Sequence, residues 1–464
     1  MDGARRDGDE SAAEAGQAPF GVDDALVREV QRALAGEDLT TAAALAEPLH
    51  PGDQADLLQL LAPDQRRILV KALGPGFQPE TLSHLDEAVR DELLTALGPR
   101  EAGAVLAQLD SDDAVDVLAG LDEHEREAIL AALPLSDRTL LEEGLAFPEY
   151  SAGRLMQREF VAVPDYWTVG QTIDYLRATR DLPDEFYDIF IVDPRFRPAG
   201  SVPLGRLLRS SRSTPLRELK MKELRSIPVT MDQEKVAFLF RQYGMVSAPV
   251  VNAEGRLVGA ITIDDVVDVI DEEAEDDLLK LSGVQETGIF SSPWVASRQR
   301  IPWLLLSMVS ATIGATVIHQ FEGSIEQLVS LAVLMPVIAA LGGNAGVQTL
   351  AVVVRSLAVS ELTRSNALRV LVKELFVGAL NSTMLMVVGV CMVFLWFGSP
   401  GLALVFGGSI LVTVCAAAFI GIGVPLLLDR MGFDPAIASS VFVTPTIDAL
   451  GFFTFLGLAT LYLL

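Results

Sequence analysis

Asp448 stands alone in VFVTPTIDALGFFTF (441–455), a stretch that otherwise carries no charge. A carboxylate near the centre of a bilayer is costly, so such a group faces a bundle interior or a water-filled path. A second concentration of acid lies upstream in DDVVDVIDEEAEDDLLKL (264–281), where nine Asp and Glu fall within residues 264–277. On a helix many of these sit three or four apart, a spacing at which like charges repel. A helix stabilised by neutralising cations, and leading through SSPWVASRQR into an apolar run, has the makings of a cation sensor. The bland alternative is a solvated acidic linker. Cys391 and Cys415 lie in apolar runs without metal-ligand spacing and read as small packing residues.

The elements that must position these acids follow from a division of the chain. Half of its 464 residues are hydrophobic, yet the formal net charge is −27. From Ile301 onward there are 5 Lys and Arg against 7 Asp and Glu; the other 30 basic and 55 acidic residues lie before it. An acidic, soluble half thus precedes an apolar, nearly neutral half. Such a surface attracts cations and disfavours nucleic acid, whose phosphates want a basic face. The apolar half divides into five candidate spans, at about 301–320, 327–355, 375–397, 402–428 and 435–464, each near the length a bilayer requires. Arg298, Arg300, Arg355, Arg364, Arg369, Lys373 and Arg430 fall in alternate loops, while FEGS and GSPG carry none. That asymmetry places the N-terminus in the cytoplasm and the C-terminus outside. The N-terminal MDGARRDGDESAAEAGQ has no apolar stretch of a signal peptide, which agrees.

Two repeats organise the soluble half after an Ala-, Gly- and acid-rich opening (1–22) expected to be disordered. Leu97, Leu109, Leu121 and Leu133 are evenly spaced by 12, and Leu106, Leu118 and Leu130 keep the step. Polar openings and apolar closes of LGPREAGAVLAQ, LDSDDAVDVLAG and LDEHEREAILAA predict short capped helices stacked as an α-solenoid over 23–148. Further on, IVDPRFRPAGSVPLGRL (191–207) aligns without gaps on VVNAEGRLVGAITIDDV (250–266), an offset of 59. Arg197 matches Arg256 and Gly200 matches Gly259, each copy reading strand, turn, strand, helix. These copies resemble a tandem of cystathionine-β-synthase-type (CBS) modules, here 149–270. In that family a GxxTxxD pattern, present as Gly259, Thr262 and Asp265, often marks an adenine nucleotide site, so the resemblance implies ATP at Thr262 and Asp265; the first copy has Pro203 and Arg206 instead.

The order of parts resembles the MgtE family of magnesium channels. The residues that carry the resemblance are PVIAALGGNAGVQTLAVVVRSLA (336–358), KELFVGALN (373–381), GFDPAIASSVFVTPTIDALGFFTF (432–455) and SAGRLM (151–156). The fold class implied is a multidomain membrane protein: an all-α short-helix solenoid, α/β tandem CBS modules, a connecting (plug) helix (271–298) and a five-helix transmembrane domain (299–464). Family membership implies a homodimer in the plasma (bacterial inner) membrane that imports Mg²⁺ through a pore between subunits, gated closed by cytosolic Mg²⁺. It assigns Asp448 to the pore, with Gly343, Asn344, Val347, Ser440 and Thr444 lining it. The regulatory ligands it implies are Asp112 and Asp116 in the helical domain, Asp232, Glu234 and Asp265 in the second CBS module, Glu273, Asp276 and Asp277 on the plug helix, and Asp434 at the mouth of the fifth span. The physics agrees: Mg²⁺ dehydrates reluctantly and is held by one or two carboxylates with waters retained. GGNAG is expected to disturb its helix and free carbonyls for that hydration shell.

Departures are Gln242-Tyr243-Gly244, where the family carries an acid after the Tyr; Pro445 within Thr444-Pro445-Thr446-Ile447, expected to kink the span; and the apolar Val347. Other functions remain to be weighed. An intramembrane aspartyl protease needs two catalytic acids within spans. A proton- or cation-coupled divalent-metal carrier would need a second ionisable relay residue, and no candidate stands out in the sequence. A non-conducting membrane cation sensor would show no flux.

Overall fold

The structure is a computed structural model. It describes residues 21–464 apart from 181, 184, 222, 283, 285–289, 291, 359–360 and 363–364, and gives no side-chain surroundings for 437–440. The opening segment expected to be disordered lies, up to residue 20, outside the described residues. The chain forms two compact units, Met1–Val267 and Asp268–Leu464.

The 12-residue period becomes four helices, Pro99–Leu106, Ser111–Gly120, Glu123–Ala132 and Leu135–Leu145, each starting 12 residues after the last. Leu106, Leu118 and Leu130 are buried at equivalent points, as are Leu121 and Leu133 where the second and third helices close. Asp110 and Asp122 occupy N-cap positions, but neither side chain makes the expected capping hydrogen bond. Five earlier helices, Asp24–Ala35, Leu39–Ala46, Pro51–Leu60, Pro63–Leu73 and Glu87–Leu97, join the same apolar core. At roughly 1.5–3 kcal/mol per buried Leu or Val, this shared core rather than any single helix stabilises the stack.

The 59-residue repeat becomes two three-stranded sheets. The first contains β1 (Ala162–Pro164), β2 (Asp188–Val192) and β3 (Pro198–Pro203); the second contains β4 (Ile227–Pro228), β5 (Ser247–Val251) and β6 (Leu257–Thr262). In each, the first strand is parallel and the third antiparallel to the second. The register repeats as well: Ile191 pairs with Gly200 and Val250 with Gly259, and a bulge follows at Ile191/Val192 and at Val250/Val251. The hairpin turns are built alike. Asp193 Oδ1 accepts from the backbone N of Arg195 and Arg197, and Asn252 Oδ1 from that of Glu254 and Arg256. Gly255 takes the left-handed conformation there (φ +74°), and its counterpart Phe196 does so as well (φ +60°) despite its Cβ. The sheets meet through Phe190, Val192, Leu257 and Ala260. Ser247, the counterpart of Asp188, donates to Asp188 Oδ2 at 2.8 Å.

The acidic stretch forms one helix with the end of the second repeat, Ile263–Leu281. Among the described residues, five helices long and apolar enough to cross a membrane follow: Pro293–Gln320, Ser330–Ala358, Ala367–Phe397, Pro400–Met431 and Pro435–Tyr462. At 28 to 32 residues each extends about 42–48 Å, beyond a hydrocarbon core of about 30 Å, so their ends reach the polar interface. The first begins well before its apolar part and carries Arg298 and Arg300 as helical residues.

GGNAG does not disturb its helix. Residues Ser330–Ala358 are α-helical throughout, and the glycines serve contact instead. A Cβ on Gly342 would lie 2.6 Å from Thr413 Cγ2 and 2.8 Å from Ile447 Cγ2; one on Gly346 would run into Ile447 Cδ1. The fourth and fifth spans therefore press directly on the second. Small residues at such a seam let membrane helices approach where no hydrophobic force drives them together. The fifth span likewise continues as a helix through Pro445.

Candidate ion path and cytosolic acid clusters

Asp448 lies midway along the fifth span. Ile447 beside it is fully buried in the glycine seam, and that fixes the rotation of the helix. The seam turns Asp448 and Thr444 toward Gly343: a Cβ there would meet Thr444 Cγ2 at 3.3 Å and Asp448 Oδ1 at 3.7 Å. Asp448 is partly exposed, yet its Oδ1 is buried with no hydrogen-bond partner. Asn344 and Val347 are exposed on the second span. An amide on a membrane helix facing lipid would be left unsatisfied. Thr444 is partly exposed, and Thr446 Oγ1 returns its hydrogen to the Phe442 carbonyl at 2.6 Å. The side chain of Ser440 lies outside the described residues. Gly343, Asn344, Thr444 and Asp448 thus form one strip along two adjoining helices, with apolar Val347 at its margin.

The sequence-predicted regulatory acids fall into two groups and some remainders. Asp112 is buried at the first turn of Ser111–Gly120. Its Oδ1 accepts from the Asp113 backbone N at 3.0 Å, whereas Oδ2 has no partner. Burial, then the charge of Asp265, raises its affinity for a proton well above the ordinary carboxylate range. Asp265 accepts from Thr262 Oγ1 at 2.8 Å. Burial pushes its carboxyl up to about 7 against that hydrogen bond, with Asp264 and Asp113 adding repulsion. Two carboxylates, from the helical domain and the second CBS module, are therefore gathered, and among the described residues no ion pair balances either of them.

The second group surrounds Lys280. Its Nζ donates to Asp434 Oδ2 at 2.8 Å and also pairs with Asp276. Burial alone would lower the lysine's pKa, but the hydrogen bonds to Asp276 and Asp434 hold it above the ordinary value. Asp277 is pushed up to about 6 by burial and next by the Asp434 charge. Glu273 lies one turn earlier, half-buried on the same helix. Asp434 is also the N-cap of the fifth span, where Oδ1 accepts from Ala436 N at 2.8 Å.

The remaining predicted ligands sit apart. Asp116 is exposed and ion-paired with buried Arg90 at 2.9 Å. Asp232 is the exposed N-cap of helix Gln233–Tyr243, with Glu234 in its first turn. Gly244 closes that helix in the left-handed conformation (φ +59°), which explains in backbone terms the Gly found where the family has an acid. Among the described residues no three His, Cys, Asp or Glu side chains converge as a ready cage.

Sequence reasoning missed Arg90 and Lys280 as partners of these acids. The Asp276–Lys280 spacing of four was a legible signal; nothing local announces Asp434 or Arg90. It also missed Glu374, buried in the third span beside Lys373 at 3.2 Å. Glu374 is thus a buried ionisable group among the spans that did not stand out in the sequence.

Comparison with known proteins now bears on these features. A family profile described as "Divalent cation transporter" (MgtE) matches residues 335–458, the stretch holding the glycine seam and Asp448. The MgtE intracellular N domain matches 49–150, and a CBS domain matches 216–272. The magnesium transporter MgtE of Thermus thermophilus is 34% identical over 337 residues, 71% of this chain and 74% of that one. This chain belongs to the MgtE family. The magnesium transporter MgtE of Enterococcus faecalis is 31% identical over 328 residues, covering 70% and 71% of the two chains. A solved cytosolic domain of the Mg²⁺ channel MgtE in complex with ATP covers 52% of this chain and 99% of its own, at 31% identity and a TM-score of 0.50. Membership makes this MgtE protein a multi-pass membrane transporter rather than an enzyme.

Proposed function

We propose that this MgtE protein conducts Mg²⁺ into the cytoplasm through a pore lined by two copies of the Gly343, Asn344, Thr444 and Asp448 strip. One observation carries the reading: a mid-span carboxylate, short of a hydrogen-bond partner, beside a polar strip that faces out of the single chain. Two-fold symmetry would bring two Asp448 side chains to one axis. That supplies enough charge to recruit a divalent ion and few enough ligands to leave its waters on. The membrane is the bacterial inner membrane, with the N-terminus cytoplasmic and the C-terminus outside, as the loop arginines and lysines favour. Other divalent cations of similar size would compete at the same strip.

Gating follows from linkage. Mg²⁺ bound by Asp112 and Asp265, and by Glu273, Asp276, Asp277 and Asp434, favours the arrangement in which those acids are close. When the ion leaves, repulsion opens it. Buried, unpartnered Asp112 Oδ2 beside Asp265 is what such a site requires. Asp232, Glu234 and Asp116 would join only by rearrangement, Asp116 by leaving Arg90.

ATP at the CBS pair is the further ligand in this reading. The cleft between the sheets is lined by Phe160, Asp188, Ser247 and Thr262 and encloses only about 10 Å³. Asp188 Oδ1 is buried there without a partner, a free acceptor for a ribose hydroxyl. Nucleotide would enter only as the modules part, and Thr262 would exchange its bond to Asp265.

The test is Mg²⁺ flux into liposomes holding the full chain, in chelator and then in millimolar Mg²⁺ on the cytosolic face, beside Asp448→Ala. Flux that needs Asp448 and falls in high Mg²⁺ supports pore and gate together. Buried Glu374 favours one rival, a proton-coupled carrier. Flux that vanishes without a pH gradient, and in Glu374→Gln, would give that rival the case.

A further inference from the structure

Lys280 stands where the acidic helix meets the membrane helices of the second unit. Its ammonium joins Asp276, one turn back on its own helix, to Asp434, which is 154 residues away and caps the fifth span. The next residue, Leu281, packs on Leu350 and Val354 of the second span and Ala436 of the fifth. The side chains are largely shielded, with 25% of Lys280, 18% of Asp276 and 33% of Asp434 exposed. Two carboxylates, those of Asp276 and Asp434, pair with this one positive group, and the charge of Asp277 is felt beside them.

We infer that Lys280 is a tethered cation that keeps the end of the acidic helix on the mouths of the second and fifth spans when divalent cation is scarce. The inference rests on the gating proposed above and deepens it. An ammonium on the same chain acts at high effective concentration and need not be captured from solution. It returns only one charge to three, so the contact is held but not saturated. Mg²⁺ has twice the charge and takes the remaining oxygens, turning a lysine-held contact into an ion-locked one. The acidic helix therefore does not swing free as Mg²⁺ falls. It passes through a state held by Lys280, and that state sets how low Mg²⁺ must go before the mouth clears.

The experiment measures the contact directly. The full chain, with Cys391 and Cys415 replaced by Ala, is spin-labelled at Leu278→Cys and Met431→Cys. Both positions are exposed. The labelled chain is diluted with unlabelled chain in lipid nanodiscs. In chelator, Lys280 and Lys280→Arg give mainly the short distance, while Lys280→Met and Lys280→Gln lower the ratio of docked to released helix about five- to tenfold, the range for a partly shielded ion pair. Millimolar Mg²⁺ restores the short distance in both neutral variants. Neutral variants that stay docked in chelator overturn the inference, as does Lys280→Arg behaving like Lys280→Met. Docking lost in chelator and not restored by Mg²⁺ leaves the lysine contact standing and removes the Mg²⁺ lock.

Discussion

The two acid clusters solve one electrostatic problem in opposite ways. At Lys280 the carboxylates of Asp276, Asp277 and Asp434 have a positive group built among them. At Asp112 and Asp265 no ion pair is made among the described residues, and burial raises the proton affinity of both instead. A cluster with an internal cation can stay assembled without metal and uses the metal to tighten. A cluster without one must take up protons or a divalent ion, or come apart. The difference teaches that acid count alone does not rank the two proposed sensing sites: the bare pair should respond more steeply to Mg²⁺, although it has fewer carboxylates.

Replacing Asp112 and Asp265 together by Asn tests this most severely. Removing two buried like charges should stabilise the metal-free full chain at pH 8 by about 2 kcal/mol or more, seen as a raised Tm in chelator. The same variant should lose most of the rise in Tm that Mg²⁺ gives the wild type. Equal Mg²⁺ protection in variant and wild type would erase the distinction between the clusters.

The pH dependence of the wild type comes next. Asp265 has a carboxyl raised to about 7 in the folded chain, against the ordinary aspartate value of 3.8. The folded state thus binds more protons than the unfolded between those values. Its stabilising contribution is full below about 4 and is lost as pH rises through about 7. Metal-free stability should fall over that window, and Mg²⁺ should offset the loss at its upper end. Thermal unfolding in chelator at a series of pH values gives the answer; stability that rises with pH from 5 to 7 contradicts the bare pair.

Arg90→Met is a milder probe. Arg90 is buried with its guanidinium on Asp116, so its loss should cost about 1–2 kcal/mol in stability while freeing Asp116. If Asp116 belongs to the Mg²⁺ site, the midpoint of Mg²⁺ protection against proteolysis should fall about two- to threefold. An unchanged midpoint would confine the site to Asp112 and Asp265. The smallest effect is expected from Gly244→Asp. Left-handed backbone at position 244 makes the change cost about 1 kcal/mol, and any gain in Mg²⁺ sensitivity from the restored acid must appear above that.

How far each feature could be read depended on how far apart its parts lie. The solenoid helices, the paired sheets and the five spans were legible because their signals are local: a 12-residue step, a 59-residue offset, long uncharged runs. Lone Asp448 was legible too, since a charge within such a run contradicts its surroundings. GGNAG was misread because glycine signals both weak helix and close approach; only the facing Thr413 and Ile447 decide that it means approach. Glu374 looked like a loop-side residue until packing buried it.

What the amino-acid order determined by itself was the set of elements and the store of acids they carry, because periodicity, capping and apolar length act between near neighbours. Apart from the Asp276–Lys280 pair, whose spacing of four is local, which acid received a cation was decided only by the tertiary structure. Arg90 and Asp116 lie 26 residues apart and Lys280 and Asp434 lie 154 apart. Electrostatic pairing depends on a few ångströms through space, and no spacing along the chain fixes those until the helices have packed.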